Sequence, residues 1–205
     1  MIDTRFISND ERMILVNEMR NSKEWNSFFS WLMDREGRVV HHDPRDPGEQ
    51  TAWGISRKYH PNATIWKLVD KGVTDTKSLE PHVREFYIEF LFRWWFLCNG
   101  ILRYVLCDSY VNMGMGKSGD VKLDAGELLQ QALNCLAQKK YLVVDGDIGN
   151  NTILALRTEN HTALAYTMIT LRWIEYRRRG TGSLSWALNG WLNRVEMLTR
   201  FVSTF

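Results

Sequence analysis

The chain has 205 residues, of which 44% are hydrophobic and 24% charged, so its composition is that of a folded globular protein rather than a disordered one. Lysine and arginine outnumber the acidic residues by only 26 to 24, and the formal charge is +2. Binders of nucleic acid usually carry a concentrated basic face, so we expect no nucleic-acid partner.

Three cysteines, Cys98, Cys107 and Cys135, are an odd number without paired spacing, which argues against a disulfide framework. Each lies among apolar residues, so we predict three buried free thiols and synthesis in a reducing compartment. The spacing of cysteine and histidine predicts no metal site, and we expect no cofactor.

The first twenty residues alternate acidic and basic side chains with apolar ones and contain no signal-peptide core. Residues 86–106 form the most apolar stretch, but Glu89, Arg93 and Arg103 interrupt it, each costly at bilayer depth. We therefore predict a buried helix pair, without stable membrane insertion. The protein is expected to be made in the cytoplasm without a signal peptide.

Helical spacing of apolar residues recurs along the chain, whereas the alternation of β-strands is rare. The first predicted helix ends at Gly37, because glycine is a common residue just past a last helical turn. Residues 145–149 form a turn cluster rather than a calcium loop, since the glutamate expected at the twelfth position is absent. The segments with helical spacing are 9–33, 52–59, 75–97, 101–113, 124–138, 152–157, 163–179 and 188–201.

Residues 37–51 read GRVVHHDPRDPGEQT and differ from the rest of the chain. Two Asp-Pro steps and two glycines exclude a regular helix, so we predict an ordered loop or short hairpin. The predicted fold is mainly α, a lysozyme-like helical fold with a small irregular or β-like lobe beside Glu36.

Glu36 closes the first predicted helix and faces this loop, in which Asp43, Asp46 and Thr51 follow. Glycoside hydrolysis requires a protonated carboxyl group to protonate the leaving oxygen, often with a second carboxylate. A glutamate flanked by apolar residues is suited to the acid role, and a threonine hydroxyl can hold a water molecule. From composition alone, acids beside proline and glycine are mostly solvated turn formers.

The segment DREGRVVHHDPRDPGEQTAWGIS resembles the start of glycoside hydrolase family 108, the N-acetylmuramidases of phage lysins and some bacterial secretion systems. The order Glu, Asp, Thr is also similar to the catalytic trio of phage-type lysozymes. The residues that match the family pattern in order are Glu36, Gly37, Asp43, Pro44, Asp46, Gly48, Thr51, Gly54 and Ile55.

The resemblance extends downstream, over roughly residues 25–200. Residues 87–95 look like the family's tyrosine-to-tryptophan stretch, and Asp108, Asn112 and Gly114 look like its central motif. Residues 144–156 look like its peptidoglycan-binding half, and 190–194 look like its terminal Gly-Trp-x-x-Arg. It implies an N-terminal extension at 1–24, a catalytic region at 25–118 and a helical peptidoglycan-binding-like region at 119–205.

The resemblance implies a lysozyme that cleaves the β-1,4 bond between N-acetylmuramic acid and N-acetylglucosamine, in phage-type cell lysis or cell-wall remodelling. Glu36 is then the general acid, Asp46 the second carboxylate and Thr51 the residue that positions water. The expected partners are bacterial peptidoglycan and, for export to the periplasm or cell wall, a holin or secretion apparatus. The predicted substrate-binding residues are Asp43, Gln50, Trp53, Tyr110 and Asn112.

Several interpretations stay open. Trp53 either offers a flat face to a sugar or lies in the core, and Tyr110 and Asn112 either line the cleft or end a helix. Arginine at positions 35 and 38 and glutamate at 49 depart from the family pattern, which favours a non-catalytic peptidoglycan-binding module as the alternative. A lytic transglycosylase is the other alternative. The tryptophans predicted to lie in the core or to pack domains together are Trp94, Trp95, Trp173, Trp186 and Trp191.

Overall fold

The computed structural model describes residues 1–42, 50–114, 123–138 and 141–205. They are mostly helical with one small sheet, which confirms the predicted mainly α class. Short 3-10 turns lie at Thr4–Phe6 and Gly182–Leu184. The α-helices in these ranges are α1 (Asn9–Asn21), α2 (Lys23–Glu36), α3 (Thr64–Val69), α4 (Thr76–Leu97), α5 (Gly100–Met113), α6 (Ala125–Leu136), α7 (Asn150–Thr158), α8 (His161–Arg179) and α9 (Ser185–Val202).

The chain divides into two compact units, one of residues 5–93 and the other of residues 1–4 with 94–205. The division therefore lies inside α4, and the functional boundaries at 24 and 118 that the sequence predicts stay predictions. Residues 5–24 are part of the first unit because α1 packs on α2. Arg20 of α1 also forms a two-pronged ion pair with Glu85 of α4, with N–O distances of 2.9 and 2.8 Å.

The predicted helix at 9–33 is two helices that meet at Ser22. The Ser22 N–H donates to the carbonyl of Met19 at 3.2 Å, and its hydroxyl accepts from the N–H of Trp25 at 2.9 Å. Serine favours this position because its side chain satisfies an orphan N–H of a first helical turn. The prediction of one continuous helix was wrong, while its end at Gly37 is confirmed.

The core of the 5–93 unit is aromatic. The Phe29 ring of α2 meets the Tyr87 ring of α4 edge-on, with centroids 6.3 Å apart. This packing determines which face of α2 points into the core, and therefore where the last residue of the helix, Glu36, lies. The buried residues of α2 are Trp25, Phe28, Phe29, Leu32 and Met33.

Three short antiparallel strands lie in this unit in the order β1 (Val40–His42), β2 (Gln50–Ala52) and β3 (Ile55–Ser56). Ala52 pairs with Ile55, so Trp53 and Gly54 form a two-residue hairpin loop. Both have positive φ, 53° and 77°, as a type I′ turn requires. The predicted helix at 52–59 was wrong, because these two residues turn the chain back on itself.

In the 94–205 unit, α8 packs against α5, α6 and α9. Cys98 and Cys107 are fully buried, as predicted, and burial raises the pKa of the Cys98 thiol to about 12. Cys135 is exposed near the end of α6, so the prediction of a buried thiol there was wrong.

No helix in the described ranges combines the length and apolar character needed to cross a membrane.

Candidate active site

Glu36 is the last residue of α2, and Gly37 ends the helix. Gly37 has φ 80°, and its N–H donates to the carbonyl of Met33 at 3.0 Å. Glycine adopts this backbone conformation without steric cost, so the chain leaves the helix directly after Glu36 and reaches β1 at Val40. The Glu36 side chain is half-buried, and its Oε1 atom is buried.

The Glu36 carboxyl group lies against Gly54 in the β2–β3 turn. A Cβ atom placed on Gly54 would lie 2.5 Å from Oε2 of Glu36 and 2.7 Å from the hydroxyl oxygen of Tyr87. Both distances are shorter than real Cβ contacts. Glycine is therefore required at 54 for two reasons. A Cβ atom would collide with the Glu36 and Tyr87 side chains, and a φ of 77° is strained for any residue that has a Cβ.

Trp53 precedes this glycine, and its ring is only 1% exposed. Its N–H donates to the carbonyl of Val39 at 3.1 Å, and its carbonyl accepts from the Tyr87 hydroxyl at 3.0 Å. A positive φ is strained for a bulky residue. The interpretation of Trp53 as a face for a sugar is therefore corrected: its ring is a core side chain.

Tyr87 is a residue of this site to which the sequence assigned no role, although it begins the tyrosine-to-tryptophan stretch of the family resemblance. The side chain is 1% exposed within the apolar α4 helix, and its hydroxyl reaches the turn at Trp53 and Gly54. A buried tyrosine hydroxyl usually has a hydrogen-bond partner. A tyrosine inside the apolar run of 86–97 was the available signal, but its partner is 34 residues away in sequence.

Thr51 lies at the centre of β2, half-buried, opposite His41 of β1 and Ser56 of β3. The strand thus holds Thr51 three residues before the glycine that contacts Glu36. Asp43 and Asp46 lie outside the described residues, as does Glu49. Their predicted roles stay predictions.

Gln50, predicted to bind substrate, is engaged with Arg57. Its side-chain oxygen accepts from Nη1 of Arg57 at 2.7 Å, and Nη2 of Arg57 contacts both carboxylate oxygens of Asp70 at 2.8 and 2.6 Å. The hydrogen bonds from Arg57 hold the pKa of Asp70 below its ordinary value. In this arrangement Gln50 ties β2 to the end of α3.

The two arginines that flank Glu36 both have partners on α2. The Arg35 guanidinium lies over the Trp31 ring, 5.7 Å from its centroid. Nη1 of Arg38 pairs with Oδ1 of Asp34 at 2.6 Å. The charge of Arg38 is therefore compensated by a neighbouring carboxylate.

Tyr110 and Asn112 belong to the 94–205 unit. Tyr110 is half-buried and meets the Trp94 ring edge-on at 5.4 Å. The exposed Asn112 amide faces Arg194, and with its oxygen turned to the guanidinium it accepts from Nη2 at 2.6 Å. These contacts suit residues at a helix end, and substrate binding by either residue stays a prediction.

Asp108 connects three helices of this unit. Its carboxylate pairs with Nη1 of Arg172 on α8 at 2.6 Å and with Nη2 of Arg194 on α9 at 2.6 Å. Burial by itself would raise the pKa of Asp108, but the two arginines hold it below its ordinary value. Asp108, Asn112 and Arg194, which share the family resemblance, thus form one structural cluster.

The turn at 145–149 is organised by Gln130, which is 2% exposed. Its side-chain oxygen accepts from the N–H groups of Asp145 and Gly146, both at 2.9 Å. Its amide nitrogen donates to Oδ1 of Asp145 and to the carbonyl of Asp147, both at 2.9 Å. The predicted turn is confirmed.

Among the described residues no cluster of histidine, cysteine or acidic side chains is arranged to hold a metal ion.

The tryptophans differ from the prediction at positions 173 and 186, while Trp191 is half-buried and stacks on the Tyr176 ring with centroids 5.3 Å apart. Trp94 and Trp95 are buried, as predicted, but Trp173 is 41% and Trp186 81% exposed. Trp173 carries the Arg177 guanidinium 4.5 Å from its ring centroid. An arginine can cover an aromatic face while keeping its charge in water, so Trp173 need not be enclosed by the core.

Comparison with known proteins adds to this geometry. The solved structure of SagA from Brucella abortus superposes with a TM-score of 0.61 at 20% sequence identity, covering 88% of this chain and 95% of that one. The two share a fold. None of the curated proteins compared with the chain matches it. The family model described as glycosyl hydrolase 108 matches residues 29–114, a range that includes Glu36, Thr51, Gly54 and Tyr87.

Proposed function

We propose that the protein is a peptidoglycan hydrolase that cleaves the β-1,4 bond between N-acetylmuramic acid and N-acetylglucosamine, with Glu36 as the general acid. The observation that carries the proposal is the contact of the Glu36 carboxyl group with Gly54, inside the segment that matches the glycosyl hydrolase 108 family. One carboxylate oxygen is buried, while the residue as a whole is half-buried. A proton donor needs both protection from bulk water and access to substrate.

The chemistry follows the two-carboxylate scheme of glycosidases. The Glu36 carboxyl protonates the oxygen of the leaving sugar as the bond from that oxygen to the anomeric carbon breaks. Asp46 stabilises the positive charge or activates water, and Thr51 holds that water. The order Glu, Asp, Thr favours inversion, for which carboxyl groups are separated by about 6.5–9.5 Å, against about 5–5.5 Å for retention.

The partners of Arg35 and Arg38 support activity over mere binding. Free arginines beside Glu36 would disfavour its protonated form. Asp34 compensates the charge of Arg38, and the Arg35 guanidinium lies over the Trp31 ring. The departures from the family pattern at these two positions therefore do not by themselves argue for a degenerate site.

Analysis of the products tests the proposal. Purified peptidoglycan is digested, the new ends are reduced with borohydride, and the fragments are identified by mass spectrometry. We expect N-acetylmuramic acid at the reduced ends, and the α anomer first in an NMR time course. N-acetylglucosamine at the reduced ends would contradict the assigned bond, and an initial β anomer would contradict inversion.

The same experiment distinguishes the alternatives. A lytic transglycosylase leaves 1,6-anhydro ends and no reducible sugar, because the muramic acid hydroxyl replaces water. A non-catalytic binding module releases no fragments but sediments with the cell wall. The proposed place of action is the periplasm or cell wall, reached from the cytoplasm through a holin or secretion apparatus.

A further inference from the structure

We propose that the Trp53–Gly54 turn fixes the position of the Glu36 carboxyl group by contact, and we call this turn the seat. Tyr87 is the positioning residue that holds the seat through its hydroxyl group. The reaction that the seat serves is the one given under Proposed function, on which this part of the inference rests. The position of the carboxyl group is a separate matter, and it is testable in the protein without substrate.

The first argument is the conformation of the turn. Trp53 has φ 53° and Gly54 φ 77°, and two successive positive values are typical of a type I′ turn in which asparagine or glycine usually stands first. A buried tryptophan in that place is strained. Such strain persists only when surrounding contacts determine the conformation, and it concentrates at functional sites.

The second argument is how the turn is held. The N–H of Trp53 donates to the carbonyl of Val39, the residue before β1, and its carbonyl accepts from the Tyr87 hydroxyl at 3.0 Å. The ring of Tyr87 is itself packed edge-on against Phe29 of α2. The same two helices that carry Glu36 and Tyr87 are therefore locked together beneath the turn.

The third argument is what the turn presents to Glu36. Gly54 brings its backbone against the carboxyl group because it has no side chain. A Cβ atom built on Gly54 would lie only 2.5 Å from Oε2 of Glu36. The Tyr87 hydroxyl lies beside the same point, 2.7 Å from it. Removing the hydroxyl releases the carbonyl before Gly54, so the seat loosens although the core packing of the ring remains.

Gly54→Ala tests the seat, and Gly72→Ala is its matched control. Gly72 has φ 80°, so alanine there bears the same backbone strain, but its Cβ would meet nothing within 4 Å. We expect Gly54→Ala to lower kcat by about 100-fold, the effect of displacing a catalytic group by about 1 Å, and Gly72→Ala to leave kcat unchanged. Equal activity of the two folded variants would overturn the seat.

Tyr87→Phe tests the positioning residue, with Tyr59→Phe as control because Tyr59 is 65% exposed. We expect Tyr87→Phe to lower kcat about tenfold with little change in KM, and Tyr59→Phe to change neither. A residue that merely stabilises the fold would lower the melting temperature and leave kcat per folded molecule intact. That result would remove Tyr87 from the positioning role.

Carbon-13 NMR of protein labelled at glutamate carboxyl carbons separates this inference from the proposed function. We expect Gly54→Ala and Tyr87→Phe to shift the Glu36 carboxyl signal, and Gly72→Ala to leave it unchanged. If the wild-type protein releases no sugar but these shifts occur, the seat stands and the proposed function fails. An unchanged Glu36 signal in both variants overturns the seat, whatever the activity.

Discussion

The carboxylate of Asp108 and the guanidinium of Arg172 form an ion pair of 2.6 Å in which both side chains are fully buried. Arg194 contacts the other carboxylate oxygen, and the Ser109 hydroxyl and the Tyr176 hydroxyl accept further hydrogen bonds from Arg172. The cluster joins α5, α8 and α9. Removing its central carboxylate leaves a buried cation without compensation.

Asp108→Asn should therefore destabilise the protein by about 3–5 kcal/mol, the usual cost of breaking a buried ion pair on one side. Urea unfolding followed by circular dichroism measures the change. Glu196→Gln is the control, because Glu196 pairs with Arg200 on the surface, where ion pairs contribute about 0–1 kcal/mol. A loss at Asp108 no larger than that at Glu196 would contradict the structural role of the cluster.

The same carboxylate predicts how stability depends on pH. Its pKa is lower in the folded protein than the ordinary aspartate value of about 3.9. The folded state therefore binds its proton less readily than the unfolded state, so this stabilisation is complete above the ordinary pKa and is lost as pH falls through the lower, folded value. We expect the free energy of unfolding to decline less steeply below about pH 4 in Asp108→Asn than in the wild type. Identical slopes would show that Asp108 is not responsible.

Trp53→Ala should cost about 3–5 kcal/mol, because it empties a large buried volume. Trp186→Ala, at a residue that is 81% exposed, should change stability by no more than about 0.5 kcal/mol. Thermal unfolding of the two variants measures the difference. If Trp53→Ala instead kept full stability and weakened only the binding of glycan, the sugar-stacking interpretation would be restored.

Gln130→Leu should release the turn at 145–149, since two backbone N–H groups lose their acceptor at a cost of about 1–3 kcal/mol each. Hydrogen exchange at the amides of Asp145 and Gly146 should accelerate. Gln131→Leu, the next residue on α6, is the matched control and should leave these two amides as protected as in the wild type. Unchanged exchange in Gln130→Leu would show that the turn is stable without the hydrogen bonds from Gln130.

Much of the helical fold is predictable from local pattern. The break between the predicted helices at 75–97 and 101–113 and the stop at Gly37 are encoded within a few residues, and both are confirmed. The capping box that Asp124 forms with Glu127 is an equally local feature, found in the structure. Ser22 is also a local signal for a helix start. The helical spacing of apolar residues continues across it, however, so the pattern predicted one helix where the structure has α1 and α2.

The candidate site was predictable only in part. Glu36 was singled out because a helix end, a glycine and a following acidic loop are neighbours in sequence. Tyr87 was not, since its role depends on a hydrogen bond to a turn that is distant along the chain. For Trp53 the sequence left a sugar-binding face and a core position both open, and it predicted a helix there; the positive φ and the 1% exposure of the side chain come from a turn whose strand pairing is not visible in the local pattern.

The most direct test of Glu36 as the general acid is the rate at which Glu36→Gln releases reducing sugar from purified peptidoglycan. Glutamine keeps the shape of the side chain but lacks the acidic proton, and general acid catalysis contributes about 10²–10⁴-fold. We predict a loss of at least about 100-fold with an unchanged helical circular-dichroism signal, while Glu24→Gln on the same helix keeps the wild-type rate. A Glu36→Gln protein that hydrolyses at the wild-type rate would contradict the account.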